Sequence, residues 1–167
     1  MRKLLLFLIL VLSVVLPSCG GDAQKLLAYQ NGEQSYSLTY LHGATPVTAT
    51  LWLGEGSEER DFSLTVFGGT DAPDVTYQRK DGTFTATSGG LTLPLTPTEE
   101  LLLPVSLFCI PATARVTSIK KEGNARLVTI SDGTYIFGLR FEGTNPVPTH
   151  ISREGNGRYF SLTVQRT

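Results

Sequence analysis

Residue types that could carry catalytic or metal chemistry are few in this chain and widely spaced. The two histidines, His42 and His150, lie far apart in the sequence, and neither has metal-ligand spacing around it. An acidic cluster from Glu55 to Asp61 lacks the regularly placed oxygen ligands and tight glycine turn of a calcium loop, and is typical of a solvated hairpin tip. We therefore expect no metal site and no catalytic histidine pair.

Cys109 is a candidate nucleophile by residue type alone. It lies inside an apolar run with no neighbouring Lys, Arg or His to lower the pKa of its thiol, which favours a small buried hydrophobic residue. No serine occupies a G-x-S-x-G context. We predict that the protein is not an enzyme and needs no cofactor.

The chemistry of Cys19 follows from the amino terminus that precedes it. Arg2 and Lys3 lead into an apolar stretch from Leu4 to Val15, and residues 16–19 read Leu-Pro-Ser-Cys. This order of positive, apolar and small-residue zones is typical of a secretory signal peptide, and the apolar stretch is short for a membrane span. Residues 16–19 also look like a bacterial lipobox, although proline stands where Ala, Ser or Thr is usual. By that resemblance Cys19 is lipidated and becomes the first mature residue.

These features divide the chain into a lipoprotein signal peptide (1–18), a lipidated tether (19–24) and one folded domain (25–167). About 150 residues is a usual size for a domain with one core. Without residues 1–18 the net charge is about −3, so no basic footprint for nucleic acid is present. We expect an extracytoplasmic protein attached to a bacterial membrane through the lipid on Cys19.

From Gln34 onward the hydrophobic period is two. Apolar or aromatic residues alternate with Ser and Thr in residues 36–40, 47–53 and 62–66, which predicts half-buried strands. Further strand candidates are residues 75–79, 83–87, 91–95, 113–120, 126–131, 135–141, 149–153 and 159–165. Short turn signals such as Asp81-Gly82 separate them, and short links join antiparallel neighbours. We predict a mainly β (α+β) fold, in which about eleven strands form a strongly curved antiparallel sheet or unclosed barrel.

Residues 96–111 form the only long apolar run after the leader. Thr96 and Glu99 fit a capping box with proline at the first helical position, which predicts a helix from Pro97 to about Ile110. Pro104 is expected to kink or shorten this helix. Because the helix is apolar nearly all round, it has to be covered, and we place it against the concave face of the sheet.

Hairpins that feed a strand and then the helix occupy Asp74 to Pro104, and two further strands follow Pro146. This order, over approximately Gln34 to Gln165, resembles the LolA/LolB lipoprotein-carrier superfamily, including its lipid-anchored LppX-type and germination-lipoprotein members. The resemblance implies an unclosed barrel with a helical lid around a cavity that accepts acyl chains. The carrier's early-strand arginine has no match, since residues 34–54 contain neither Arg nor Lys. A fixed acceptor or binding domain is therefore expected rather than a soluble shuttle.

Two functions remain open on these grounds. The resemblance implies that the domain binds an acyl chain, lipid or other apolar ligand, which we place around Leu102, Leu103, Leu107 and Phe108. Alternatively the layers pack without a cavity, and the outer surface of a non-catalytic scaffold binds an envelope protein partner. In either case the core or cavity lining is expected to include Leu38, Leu51, Leu64, Val66, Phe84, Leu93, Phe137, Leu139 and Leu162.

Overall fold

The computed structural model describes residues 25–55, 60–70, 72–111 and 113–166; the predicted signal peptide, Cys19 and the tether lie outside this part of the chain. The described residues form a short 3-10 turn (Ala28–Gln30), the helix α1 (Glu99–Ser106) and eleven strands. The strands are β1 (Gln34–His42), β2 (Thr45–Leu53), β3 (Phe62–Val66), β4 (Val75–Lys80), β5 (Thr83–Ser88), β6 (Leu91–Pro94), β7 (Arg115–Glu122), β8 (Ala125–Ser131), β9 (Ile136–Glu142), β10 (His150–Gly155) and β11 (Arg158–Arg166).

All eleven described strands belong to one antiparallel, unclosed sheet in the order β6-β5-β4-β3-β2-β1-β11-β10-β9-β8-β7. Strands β1 to β6 form one meander and β7 to β11 a second, and pairing of β1 with β11 joins them. The segment that contains α1 links β6 to β7, which are the two free edges of the sheet. The predicted fold class is thus confirmed.

The strand register gives the half-barrel two distinct ends. Tyr36 lies opposite Arg166, so β1 begins and β11 finishes at the same end. We call it the entry end because the polypeptide chain enters the sheet there. His42 opposite Thr45 marks a hairpin turn at the other end, which we call the mouth end. A strand of nine residues such as β1 spans about 30 Å, which is the approximate separation of the two ends.

The core follows from the alternation along the strands. Tyr36 and Leu38 of β1 are fully buried, and one cluster of buried residues runs from Leu26 to Val164. Of the predicted core residues, six are buried (Leu38, Leu51, Leu64, Phe137, Leu139 and Leu162), while Val66 and Phe84 are half-buried against the cluster. The prediction that Leu93 belongs to the core or cavity lining was wrong. Its side chain is 54 % exposed, because β6 is a four-residue edge strand whose residues all remain exposed.

The helix is shorter than predicted at both ends. Thr98, not Thr96, is the N-cap: its backbone is extended and its side-chain oxygen accepts from the Leu101 N–H, so the helix begins at Glu99. Pro104 lies inside it and has no N–H to donate. After Ser106 the chain tightens, since the Phe108 N–H donates to the Val105 carbonyl three residues back. An eight-residue helix results instead of the predicted fourteen.

Candidate functional site

Side chains of helix α1 and of the turn after it lie in two different environments, the core and a cleft. Leu107 and Phe108 are fully buried in the core, where the Phe108 ring stacks on Tyr36 with centroids 4.7 Å apart. Leu102 is half-buried against the same core. Leu103, in contrast, lines a cleft between the helix and the concave face of the sheet. The four residues predicted to bind ligand are therefore divided, with only Leu103 on the cleft.

The cleft lies at the mouth end and has a volume of about 980 Å³. Its apolar lining is formed by aromatic and aliphatic side chains of the sheet together with one face of the helix: Tyr40, Val47, Leu64, Val66, Tyr77, Leu101, Leu103, Pro104, Phe160 and Leu162. The aromatic rings of Tyr40 and Phe160 meet edge to face with centroids 5.6 Å apart. Small-molecule sites typically measure about 300 to 1,000 Å³ and are mostly apolar, so this cleft has the composition of a binding site.

The cleft also reaches past the concave face. Its lining includes Thr39, Ser161 and Thr163, which alternate with Tyr40, Phe160 and Leu162 along β1 and β11. Alternating residues point to opposite faces of a sheet. The full volume is consequently an upper bound for the concave chamber, which is open rather than sealed.

Polar residues lie where the cleft meets solvent. His42, His150 and Glu100 belong to the lining, but His150 is the strand partner of Thr163 and so lies on the convex face of the sheet, whereas His42 has the same strand parity as concave Tyr40. Burial, assisted by the positive charge of Arg140, lowers the pKa of half-buried His150 and favours its neutral form. Among the described residues no group of three potential metal ligands occurs. On the chamber side, His42 and Glu100 can therefore form hydrogen bonds to a polar headgroup.

An arginine on β10 contacts both the first and the last residue of the helix. The guanidinium of Arg153 donates to the Glu99 carboxylate at 3.2 Å and to the Ser106 hydroxyl at 3.3 Å, and lies 4.4 Å from the centroid of the Tyr135 ring. The Arg153 side chain is only 12 % exposed but that of Glu99 is 59 % exposed, so the ion pair is shielded from solvent on the arginine side only. Arg158 on β11 approaches the same carboxylate at 3.8 Å. Glu99, predicted for the first helical turn, thereby ties the helix to the second meander.

A second arginine fixes the far end of the helical segment. Arg60 is 4 % exposed and donates to two carbonyl oxygens, that of Gln30 at 2.6 Å and that of Phe108 at 2.7 Å. It thus joins the loop before β3 to the 3-10 turn that ends at Gln30 and to the turn that follows the helix. Sequence reasoning missed Arg60, because it stands beside acidic residues in a stretch that is typical of a solvated turn.

Cys109 and Trp52 lie apart from the cleft lining. Burial raises the pKa of the Cys109 thiol, although nearby Arg60 opposes the shift, so the thiol form is favoured. Trp52 donates from its indole N–H to the Glu33 carboxylate at 2.8 Å, and it adjoins a separate polar pocket at the entry end. Its fluorescence would therefore not report directly on a ligand at the mouth end. Within the described ranges, no helix is both long and apolar enough to cross a membrane.

No protein-family model and no curated protein matches this chain. Among solved structures, a chain of the Pseudomonas aeruginosa MucA/MucB complex matches with a TM-score of 0.46 and 14% identity, over 89% of this chain and 56% of that one. A crystal structure of MucB matches with a TM-score of 0.46 and 13% identity, over 90% of this chain and 58% of that one. This chain therefore spans less than two thirds of either neighbour, and a likeness this distant assigns it neither a family nor a function.

Proposed function

We propose that this protein is a non-catalytic bacterial envelope lipoprotein, anchored by acyl chains on Cys19, whose cleft binds an acyl chain, a lipid or another apolar ligand. The observation that carries the binding proposal is the apolar cleft between the Leu103 face of the helix and the concave sheet. Anchoring is supported by the leader pattern and the lipobox-like residues 16–19.

The geometry supports a ligand that enters from the mouth end. The helix is held at its start by Arg153 and beyond its last turn by Arg60, so it resembles a fixed wall more than a hinged lid. The opposite, entry end is filled by the ring stack of Tyr36 and Phe108, with Tyr29 against Phe108 edge to face at 6.3 Å. An elongated apolar chain would therefore insert from the mouth toward this stack and leave its polar end beside His42 and Glu100.

Native mass spectrometry of the protein purified from membranes tests for a retained lipid, and displacement of a fluorescent fatty acid measures its affinity. Leu103→Glu places a charge in the cleft wall. It should abolish binding of the retained lipid and of the fluorescent fatty acid, since an unpaired charge in an apolar site is strongly unfavourable. Leu107 is unsuitable for this test because it is fully buried, so that a charge there would unfold the domain.

The matched control is Leu91→Glu, the same change at a side chain that is 63 % exposed on β6 and does not line the cleft. It should bind lipid like the original chain. Equal retention by both variants, or no retention by the unmodified protein even with added fatty acid, would refute the cleft proposal.

Anchoring is tested separately with Cys19→Ser. This variant should lose incorporation of a radiolabelled fatty acid and accumulate as precursor or released protein. A Cys19→Ser protein that remains labelled would show that the lipidation site was misassigned.

Binding of a protein partner is the second candidate, and the β6 edge favours it. Leu91 and Leu93 are 63 % and 54 % exposed on this free edge strand, which also has unpaired backbone groups. Photo-cross-linking from position 93 in cells should then capture one defined envelope protein, and Leu91→Glu should reduce its yield while leaving lipid binding intact. Cross-links that do not depend on Leu91 would argue against this candidate.

A further inference from the structure

The entry end carries a set of exposed basic side chains that do not line the cleft. Lys121 of β7 and Arg126 of β8 are direct cross-strand partners, and both are exposed. Arg166, also exposed, lies at the end of β11, and exposed Lys25 begins the described chain four residues before Tyr29. We call these four residues the entry-end basic face.

Contacts around Tyr29 bring Arg126 and Arg166 to one side of the half-barrel, and Lys121 follows as the strand partner of Arg126. The Arg126 guanidinium lies 5.0 Å from the centroid of the Phe141 ring, which is 6.5 Å from that of Tyr29. On the other side of Tyr29, its carbonyl accepts from the Tyr36 hydroxyl at 2.8 Å, and Tyr36 is the strand partner of Arg166. From β8 to β11 is three strand steps, or about 15 Å along the sheet.

The acidic residues nearby do not neutralise this face. Glu122 of β7 and Glu142 of β9 both approach Arg140, at 3.9 and 2.6 Å. Glu33 and Asp61 belong to the β2 to β4 side, where they accept from Trp52 and from the Asp81 N–H. Within the described part of the chain, none of the four basic residues forms an ion pair. A local positive surface therefore exists on a mature chain whose net charge is about −3.

The distance to the proposed anchor indicates what this surface would meet. Six residue steps separate Cys19 from Lys25, so the acylated cysteine lies within about 21 Å of Lys25 even if the tether is fully extended. That reach is shorter than the roughly 30 Å between the two ends of the half-barrel. The entry end is thus the part of the domain that the anchor holds nearest the bilayer.

We propose that the entry-end basic face binds the anionic headgroups of the anchoring membrane, so that the domain stands with its mouth end directed away from the bilayer. A basic surface beside a lipid anchor is a common further contribution to membrane attachment. The orientation on the membrane rests on the proposed anchor at Cys19, but binding of the basic face to anionic lipid can be measured without that anchor.

The test uses residues 19–167 with Cys19→Ser, which retain every residue of the core cluster. Co-sedimentation with vesicles of phosphatidylglycerol and phosphatidylcholine is compared with vesicles of phosphatidylcholine alone, at low and high salt. We expect binding to the anionic vesicles only, and loss of that binding at high salt. Reversing two charges, Lys121→Glu with Arg126→Glu, should lower the partition coefficient about tenfold or more.

The control pair is Arg115→Glu with Arg158→Glu, which makes the same change in net charge at the mouth end and should alter partitioning less than twofold. Circular dichroism and melting temperature verify that both pairs are folded. Equal losses for the two pairs, equal binding to neutral vesicles, or binding to heparin without binding to vesicles would overturn the proposal. Fatty-acid displacement should be unchanged by Lys121→Glu with Arg126→Glu, so failure here is separable from failure of the cleft.

Discussion

Replacing Arg60 with alanine should destabilise the domain more than its position beside a loop suggests. The side chain is 4 % exposed and supplies donors to the carbonyls of Gln30 and Phe108 at 2.6 and 2.7 Å. Hydrogen bonds from a charged donor contribute about 1.5 to 3 kcal/mol each, and a buried carbonyl left unsatisfied costs about 1 to 3 kcal/mol. Allowing for overlap between these terms, we expect the free energy of unfolding to fall by about 3 to 5 kcal/mol.

Such a loss is a large part of a typical domain stability of about 5 to 15 kcal/mol. Arg60→Lys keeps the charge but offers one ammonium group where the guanidinium reaches two separate carbonyls, so it should lose about half as much. Lys80→Ala, an exposed change on β4, serves as the control and should stay within about 0.5 kcal/mol.

Urea unfolding followed by circular dichroism measures all three variants, and constant m-values would show that the comparison of midpoints is valid. If Arg60→Ala loses less than about 1 kcal/mol, the two carbonyls are satisfied in another way. The view of Arg60 as the contact that joins the 3-10 turn to the turn after the helix would then be wrong.

Three further outcomes follow from Phe108 and Tyr29, which are buried in the core, and from Cys109, which is half-buried against it. Phe108→Ala should lower the free energy of unfolding by about 3 to 5 kcal/mol in the same urea assay, and a smaller loss than for exposed Leu91→Ala would contradict its place in the ring stack. Burial raises the pKa of Tyr29, so its contribution to stability is present below about pH 10, where the unfolded phenol ionises, and is lost as the pH rises above that value. Tyr29→Phe should therefore unfold at higher pH than the original chain by circular dichroism, whereas exposed Tyr159→Phe should not. Because burial raises the pKa of Cys109, iodoacetamide should label the folded Cys19→Ser chain much more slowly than the urea-unfolded chain near neutral pH, and equal rates would show an accessible thiolate.

The strands were predictable because each carries its own local signal. In β3, Phe62, Leu64 and Val66 alternate with Ser63 and Thr65, and the strand has the predicted bounds. The short turns between hairpins then require antiparallel neighbours. What local patterns do not contain is the pairing of β1 with β11, which depends on packing between residues at opposite ends of the chain.

The helical region shows where sequence reasoning reached its limit. Leu101, Leu103, Leu107 and Phe108 are all apolar, so hydrophobicity cannot distinguish a cleft wall from a dry core. The division appears only when Phe108 stacks on Tyr36 while Leu103 faces the mouth end. Thr96 and Thr98 are both chemically able to cap a helix, and only the structure shows that Thr98 does so.

Buried charge was the least predictable feature. Arg60 and Arg153 are ordinary surface residues by type, and their roles depend on acceptors at least 30 residues away in sequence: the Gln30 and Phe108 carbonyls for Arg60, and the Glu99 carboxylate for Arg153. A single sequence contains no signal for such distant partners.

The seam between β1 and β11 also dictates an order of assembly. The last strand of the sheet has to find the first, with Tyr36 meeting Arg166 across nearly the whole chain. Contacts this distant in sequence slow folding, because chain closure has to occur before they stabilise anything. Until then β1 is an edge strand with an apolar face that includes Leu38, and such edges pair readily with other copies. A polypeptide interrupted before Arg158 could complete its first meander, yet it would present this unpaired strand to every similar molecule that it meets.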